Sequence, residues 1–172
     1  TGDAAITAGK AALSAVTPAA VQAGQTPTEA LAAAGFAGNT FMLTTGVDNI
    51  VGTAGNDTFT ADFNGNANTL GSGDVLKGGA GNDTLKASLG GASNFAINAT
   101  TESIETVVIR AQALDANGAN GDNNIITNQV TVDADRMSGV TRWENNNSRA
   151  DLVIEDVRSN SNTTTVAMVS TD

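Results

Sequence analysis

Gly78-Gly79-Ala80-Gly81-Asn82-Asp83-Thr84-Leu85-Lys86 is the stretch that decides how this chain folds. Its glycines permit a sharply turned backbone, and an aspartate two places before a large apolar residue joins a polar corner to a short buried strand. The stretch fits the nonapeptide pattern GGxGxDxUx at every defined position, where U is a large apolar residue. A shift of 26 residues lays it on Gly52-Thr53-Ala54-Gly55-Asn56-Asp57-Thr58-Phe59-Thr60, which departs only at Thr53, where the pattern has its second glycine. Half-matches precede both copies, Gly46-Val47-Asp48-Asn49-Ile50 and Ser72-Gly73-Asp74-Val75-Leu76. The same shift places Asp48 on Asp74, Ile50 on Leu76 and Phe59 on Leu85, and each copy steps nine residues from one aspartate to the next.

These residues resemble the RTX family of secreted bacterial proteins, whose nonapeptides wind a parallel β-roll and hold calcium between stacked turns. The resemblance implies that glycine-rich turns present backbone carbonyls, that Asp supplies a carboxylate, and that the apolar residue points into the roll. One such loop cannot complete a shell of six to eight oxygens, so the cation bridges a loop and its neighbour in the next coil. Two nine-residue half-turns make one coil, which puts same-edge partners one copy apart. The expected sites lie between the Asp57 and Asp83 loops and between Asp48 and Asp74, with Gly52, Ala54, Gly78 and Ala80 as carbonyl donors. Because the copies are 26 residues apart, Ala61 to Gly71 holds extra residues that must bulge from the stack. Thr101-Glu102-Ser103-Ile104-Glu105-Thr106-Val107-Val108-Ile109 is similar to strands that follow RTX blocks in surface-layer proteins and giant adhesins.

Composition supports a hard cation as partner. The 172 residues include 18 acidic against 8 basic side chains, a net charge of −10, so no basic surface drives nucleic-acid binding. With no His and no Cys, zinc, copper, haem and iron–sulfur ligation lose their usual donors and only oxygen ligands remain. The same absence removes Ser-His-Asp and Cys-His catalysis and disulfides. A 40% apolar share with 3% aromatic residues suits thin stacked β-structure built on small aliphatic side chains. No run approaches the length of a membrane span.

Outward from the repeats, residues 1–38 read as an Ala-rich helical lead-in. Thr26-Pro27-Thr28-Glu29 sets a cap, a proline at the first helical position and a glutamate beyond, and Gly35 stops the segment. The opening at Thr1 without Met suggests a processed or excised piece, and a cut site is preferred there over an N-terminal nucleophile. Residues 39–89 are the expected calcium β-roll, and residues 90–172 a β-rich domain. In that domain the β-branched runs 104–109, 130–132, 152–157 and 163–169 fit either solenoid rungs or the antiparallel hairpins of a sandwich. The Asp115–Asp122 segment reads as a solvated hairpin loop, with a third cation site as the alternative. Glu102, Glu105, Glu144 and Asp151 read as solvated strand-edge carboxylates rather than catalysts, and Trp143 as a core or rim residue rather than a sugar platform.

The expected fold is therefore mainly β, an RTX-type calcium β-roll continuing into a β-solenoid or β-sandwich. The expected function is non-catalytic: a secreted, extracellular Ca2+-binding structural module of a bacterial surface layer, filament or matrix protein. Its expected partners are calcium and other copies of itself or cell-surface polysaccharide, without nucleic acid. The alternatives are an adhesin or carbohydrate-binding module, or the calcium-binding secretion tail of an RTX hydrolase.

Overall fold

A computed structural model describes residues 37–64, 67–91, 93–112, 129–158 and 164–169. The lead-in through residue 36 and the Asp115–Asp122 segment lie outside the described residues. Among those described, the ordered elements are all strands, and no helix is long and apolar enough to cross a membrane.

The strands arise where polar and apolar residues alternate. In β7 (Thr84–Leu89), Leu85, Ala87 and Leu89 point inward and are buried, while Thr84, Lys86 and Ser88 face out. In β10 (Thr106–Ala111), Val107, Ile109 and Ala111 repeat that pattern. A period of two with one buried face suits a sheet that covers a core on one side only. These two strands pair in parallel, and the same sheet continues on one side through β3 (Thr58–Ala61) to β1 (Thr40–Met42). On the other side it runs through β13 (Arg142–Asn146) to β15 (Thr165–Val169). This six-stranded sheet crosses residue 89 without a break, by the pairing of β7 with β10.

A second parallel sheet stacks β2 (Asn49–Val51), β6 (Val75–Lys77), β9 (Thr100–Glu102) and β12 (Met137–Ser138). The third joins β8 (Phe95–Ile97), β11 (Gln129–Asp133) and β14 (Asp151–Glu155). Each strand pairs with its counterpart one coil later, so the chain winds as a stack of parallel coils. Two faces suffice up to β6, and the third begins at β8, just beyond residue 90. Among the described residues every pairing after residue 70 is parallel, where the hairpins of a sandwich would have made antiparallel pairs.

The extra residues between the two nonapeptide copies form the one antiparallel pair among the described residues, β4 (Phe63–Asn64) with β5 (Ala67–Asn68). This bulge is tied back to the stack. The Asn68 side-chain amide donates to the Gly90 carbonyl at 3.0 Å and accepts the Gly90 N–H at 2.8 Å, and Leu70, at the end of the bulge, is buried in the core.

Residues in register form columns across the coils. Phe41, Phe59, Leu85, Val107 and Trp143 are successive partners inside, Val166 continues the column but is exposed, and the Phe41 and Phe59 rings stack at 5.2 Å. Trp143 is buried in this core, as the first of its two expected placements required. One cluster runs from Leu43 to Trp143, built mostly of Leu, Val, Ile and Ala. Removing a fully buried side chain such as Leu85 therefore opens a gap that neighbouring coils fill only partly, at a cost of about 2–5 kcal/mol.

Candidate metal centre

The residue just before each strand of the six-stranded sheet occupies a corner of its coil. Asn39, Asp57, Asp83 and Glu105 precede Thr40, Thr58, Thr84 and Thr106, which are themselves in register. Each acidic side chain accepts the backbone N–H of its counterpart one coil earlier. Asp57 Oδ1 takes the Asn39 N–H at 2.6 Å, Asp83 Oδ1 takes the Asp57 N–H at 2.7 Å, and Glu105 Oε2 takes the Asp83 N–H at 2.7 Å. The carboxylates thus extend the backbone ladder one residue beyond the strand starts, and the corner becomes a column of stacked acids. Glu105 was expected at a solvated strand edge. It is half-buried in this column instead, because the Ser103-Ile104-Glu105-Thr106 corner follows the path of Gly81-Asn82-Asp83-Thr84.

The two nonapeptide loops satisfy their aspartates differently. In the earlier loop, the Thr53 N–H donates to Asp57 Oδ2 at 2.5 Å and the Thr53 hydroxyl to Asp57 Oδ1 at 2.9 Å. The equivalent position in the later loop is Gly79, which has no hydroxyl and adopts φ +105°. Asp83 Oδ2 is left buried with no hydrogen-bond partner, although the residue is only 1% exposed. Burial pushes the Asp83 carboxyl above the usual carboxylate range, the Asp57 N–H bond offsets part of this, and the Asp57 and Glu105 charges push it further up.

Both loops need glycine where the coils approach. A Cβ on Gly52 would meet the Gly78 carbonyl and lie 2.5 Å from Asp57 Oδ2, and one on Gly78 would overlap the Ser103 carbonyl and Asp83 Oδ2. The Gly78 carbonyl thus packs against Gly52 of the preceding coil. Thr53 and Gly55, neighbours of the expected Gly52 and Ala54, turn their carbonyls toward Gly79 and Gly81. The Thr53 carbonyl also accepts the Ala80 N–H at 3.2 Å.

Asp48 and Asp74 come together across the same 26-residue shift, on the other sheet's corner. Asp74 Oδ1 accepts the Asp48 N–H at 2.9 Å and its Oδ2 accepts the Gly71 N–H at 2.8 Å. Asp48 is held by the Thr44 N–H at 2.7 Å and the Thr44 hydroxyl at 3.1 Å. Every oxygen of this pair already has a donor, which sets it apart from Asp83.

Among the described residues no group of three or more acidic side chains converges to hold a metal ion. A cation between the Asp57 and Asp83 loops would thus draw most of its shell from carbonyls, with the unpartnered Asp83 Oδ2 as its carboxylate. That set is all oxygen, which suits a hard cation. The unpartnered Asp83 oxygen suits such an ion; the Asp48–Asp74 pair, whose oxygens all have donors, suits it less well.

A further polar corner went unnoticed in the sequence. The Asn98 side-chain amide donates to Asp133 at 2.6 Å and to Asp135 at 2.8 Å, and the Asn98 N–H reaches the Ser72 hydroxyl at 3.0 Å. Asn98 lies 26 to 37 residues from these partners without a shared motif, so only the coil lengths could have brought them together.

Comparison of the chain with family models, with curated proteins and with solved structures returned no match.

Proposed function

We propose that residues 39–89 form an RTX-type calcium β-roll and that the chain is a secreted structural module of a bacterial surface layer, filament or matrix protein, rigidified by Ca2+. The observation that carries this reading is Asp83 Oδ2, buried without a partner in the loop that matches the nonapeptide at every position. An orphaned buried carboxylate oxygen beside two further acids is costly, and a divalent cation converts that cost into ligation. Calcium is favoured over softer metals because the chain has no His or Cys. Gly52 and Gly78 support the reading by letting the loops of neighbouring coils approach closely at this corner.

Calcium at this corner would clamp the coil of β2 and β3 to the coil of β6 and β7. Its role is mechanical, since the stack of coils is only as stiff as the contacts between neighbours. Binding to the folded state alone stabilises by mass action, so chelation should lower the melting temperature. Assembly into larger structures should require calcium at about 10⁻⁴ to 10⁻³ M, the range of extracellular modules. Calorimetric titration of calcium, paired with thermal melts in excess chelator, tests the reading. Bound calcium that raises the melting temperature supports it, and a melt indifferent to chelation overturns it.

A further inference from the structure

Outward side chains of the six-stranded sheet line up across the strands, because its neighbouring strands are held in step. One column holds Thr60, Lys86, Val108 and Glu144. The adjacent column pairs Ser88 with Arg110 and is extended by Asp62 and Asn146. Between the columns runs a groove of about 220 Å³ that crosses β3, β7, β10 and β13.

The groove carries two cations, Lys86 and Arg110, beside one acid, Asp62. Glu144 is already taken, by Arg142 at 2.8 Å and by the Asn146 amide at 2.7 Å. Lys77 and Arg136 each have an acidic partner as well. Lys86 and Arg110 have no carboxylate at ion-pair distance among the described residues, and Arg110 Nε donates only to the Asn147 carbonyl at 3.3 Å. Arg149 and Arg158 also lack an ion-pair partner among the described residues, but only Lys86 and Arg110 share a groove, and in a chain of net charge −10 two such cations side by side mark a place where an anion is wanted.

We propose that this groove binds a linear acidic polysaccharide, lying across the strands with uronate carboxylates on Lys86 and Arg110 and sugar hydroxyls on Asp62, Ser88 and Asn146. Strands follow one another about every 4.8 Å, a rise comparable to one sugar unit, so a chain on this line meets a fresh set of side chains at each coil. Arginine suits carboxylates because its planar fork donates twice. An acidic peptide is less well served, since the groove crosses strands paired on both sides and offers no free edge for backbone pairing. Nucleic acid needs more cations than two and has no aromatic platform here.

Calorimetry with hexagalacturonate tests this at fixed calcium concentration, with neutral maltohexaose, hexaglutamate and inorganic phosphate as parallel probes. Hexagalacturonate should bind, weaken with salt, and lose an order of magnitude or more in affinity in the K86Q/R110Q double variant. Val108→Trp, which fills the groove without changing charge, should weaken it too, while Lys77→Gln on the other sheet should not. Circular dichroism confirms that each variant is folded. No binding of hexagalacturonate, equal binding of hexaglutamate, maltohexaose or phosphate, or indifference to both the double variant and Val108→Trp overturns the proposal.

Discussion

The backbone N–H of Asp57 donates to Oδ1 of Asp83, 26 residues later, at 2.7 Å. That bond holds two buried carboxylates one coil apart, with Glu105 stacked on the far side. The arrangement joins fold to proposed function: the carboxylates hold the coils in register, and in the proposed reading a cation relieves their mutual repulsion.

Asp83→Asn separates these two roles. The amide oxygen can still accept the Asp57 N–H, so the corner stays in register, while the charge is gone. In chelator the variant should melt at or above wild type; in calcium it should lose at least tenfold in affinity, about 1.4 kcal/mol. Asp115→Ala should leave calorimetric calcium binding unchanged. Equal losses for the two variants would move the site away from Asp83.

Thr53→Gly makes the earlier loop resemble the later one. Asp57 loses the Thr53 hydroxyl, and the calcium-free protein should lose about 0.5–1.5 kcal/mol in urea unfolding. Calcium should then stabilise this variant more than it does wild type, because Asp57 has lost its hydroxyl donor and each of its oxygens keeps only a single backbone N–H. An unchanged calcium response would show that Thr53 is not what separates the two loops.

The pH dependence of stability follows from the direction of two shifts. Asp83 is raised in the folded state, so its contribution is fully present below its unfolded pKa and lost as pH rises through the folded value. Glu144 is lowered by hydrogen bonds from Arg142 and Asn146, so its contribution is present above its unfolded pKa and lost on acidification. In chelator, Asp83→Asn should remove the gain in stability on mild acidification, and Glu144→Gln should remove part of the loss at lower pH. Urea melts across the acidic range read both effects, and a chelated wild type whose acid response is unaltered by Asp83→Asn contradicts the first.

Gly78→Ala tests the close approach of the coils. Its Cβ would overlap the Ser103 carbonyl, which is backbone and cannot swing away, and the expected loss is about 1–3 kcal/mol. At Gly46 the nearest atom to a Cβ is the Thr44 hydroxyl at 3.6 Å, so Gly46→Ala should stay within about 0.5 kcal/mol of wild type. Chemical denaturation compares the two directly.

Much of the coil register was legible because the repeat carries it. The 26-residue shift that laid Asp57 on Asp83 and Asp48 on Asp74 is the separation of the hydrogen-bonded pairs, and the surplus at Ala61–Gly71 emerges as the β4–β5 hairpin. The β-branched runs likewise became β10, β11, β14 and β15. Parallel pairing after residue 90 was not legible, since coils there vary in length and no motif repeats at a fixed shift. Glu105 hid for a related reason: its corner lacks the glycines of the nonapeptide, and only the shared acid–threonine–apolar order links it to Asp83-Thr84-Leu85. The orphaned oxygen of Asp83 depends on what Gly79 fails to supply, which becomes visible only beside Thr53 in the neighbouring loop.

Native mass spectrometry of wild type and Asp83→Asn, each with calcium and with excess chelator, tests the central claim most directly. Wild type should carry calcium that chelator removes, and Asp83→Asn should carry at least one ion fewer under the same conditions. Wild type without bound calcium, or the two proteins carrying the same number of ions, would contradict it.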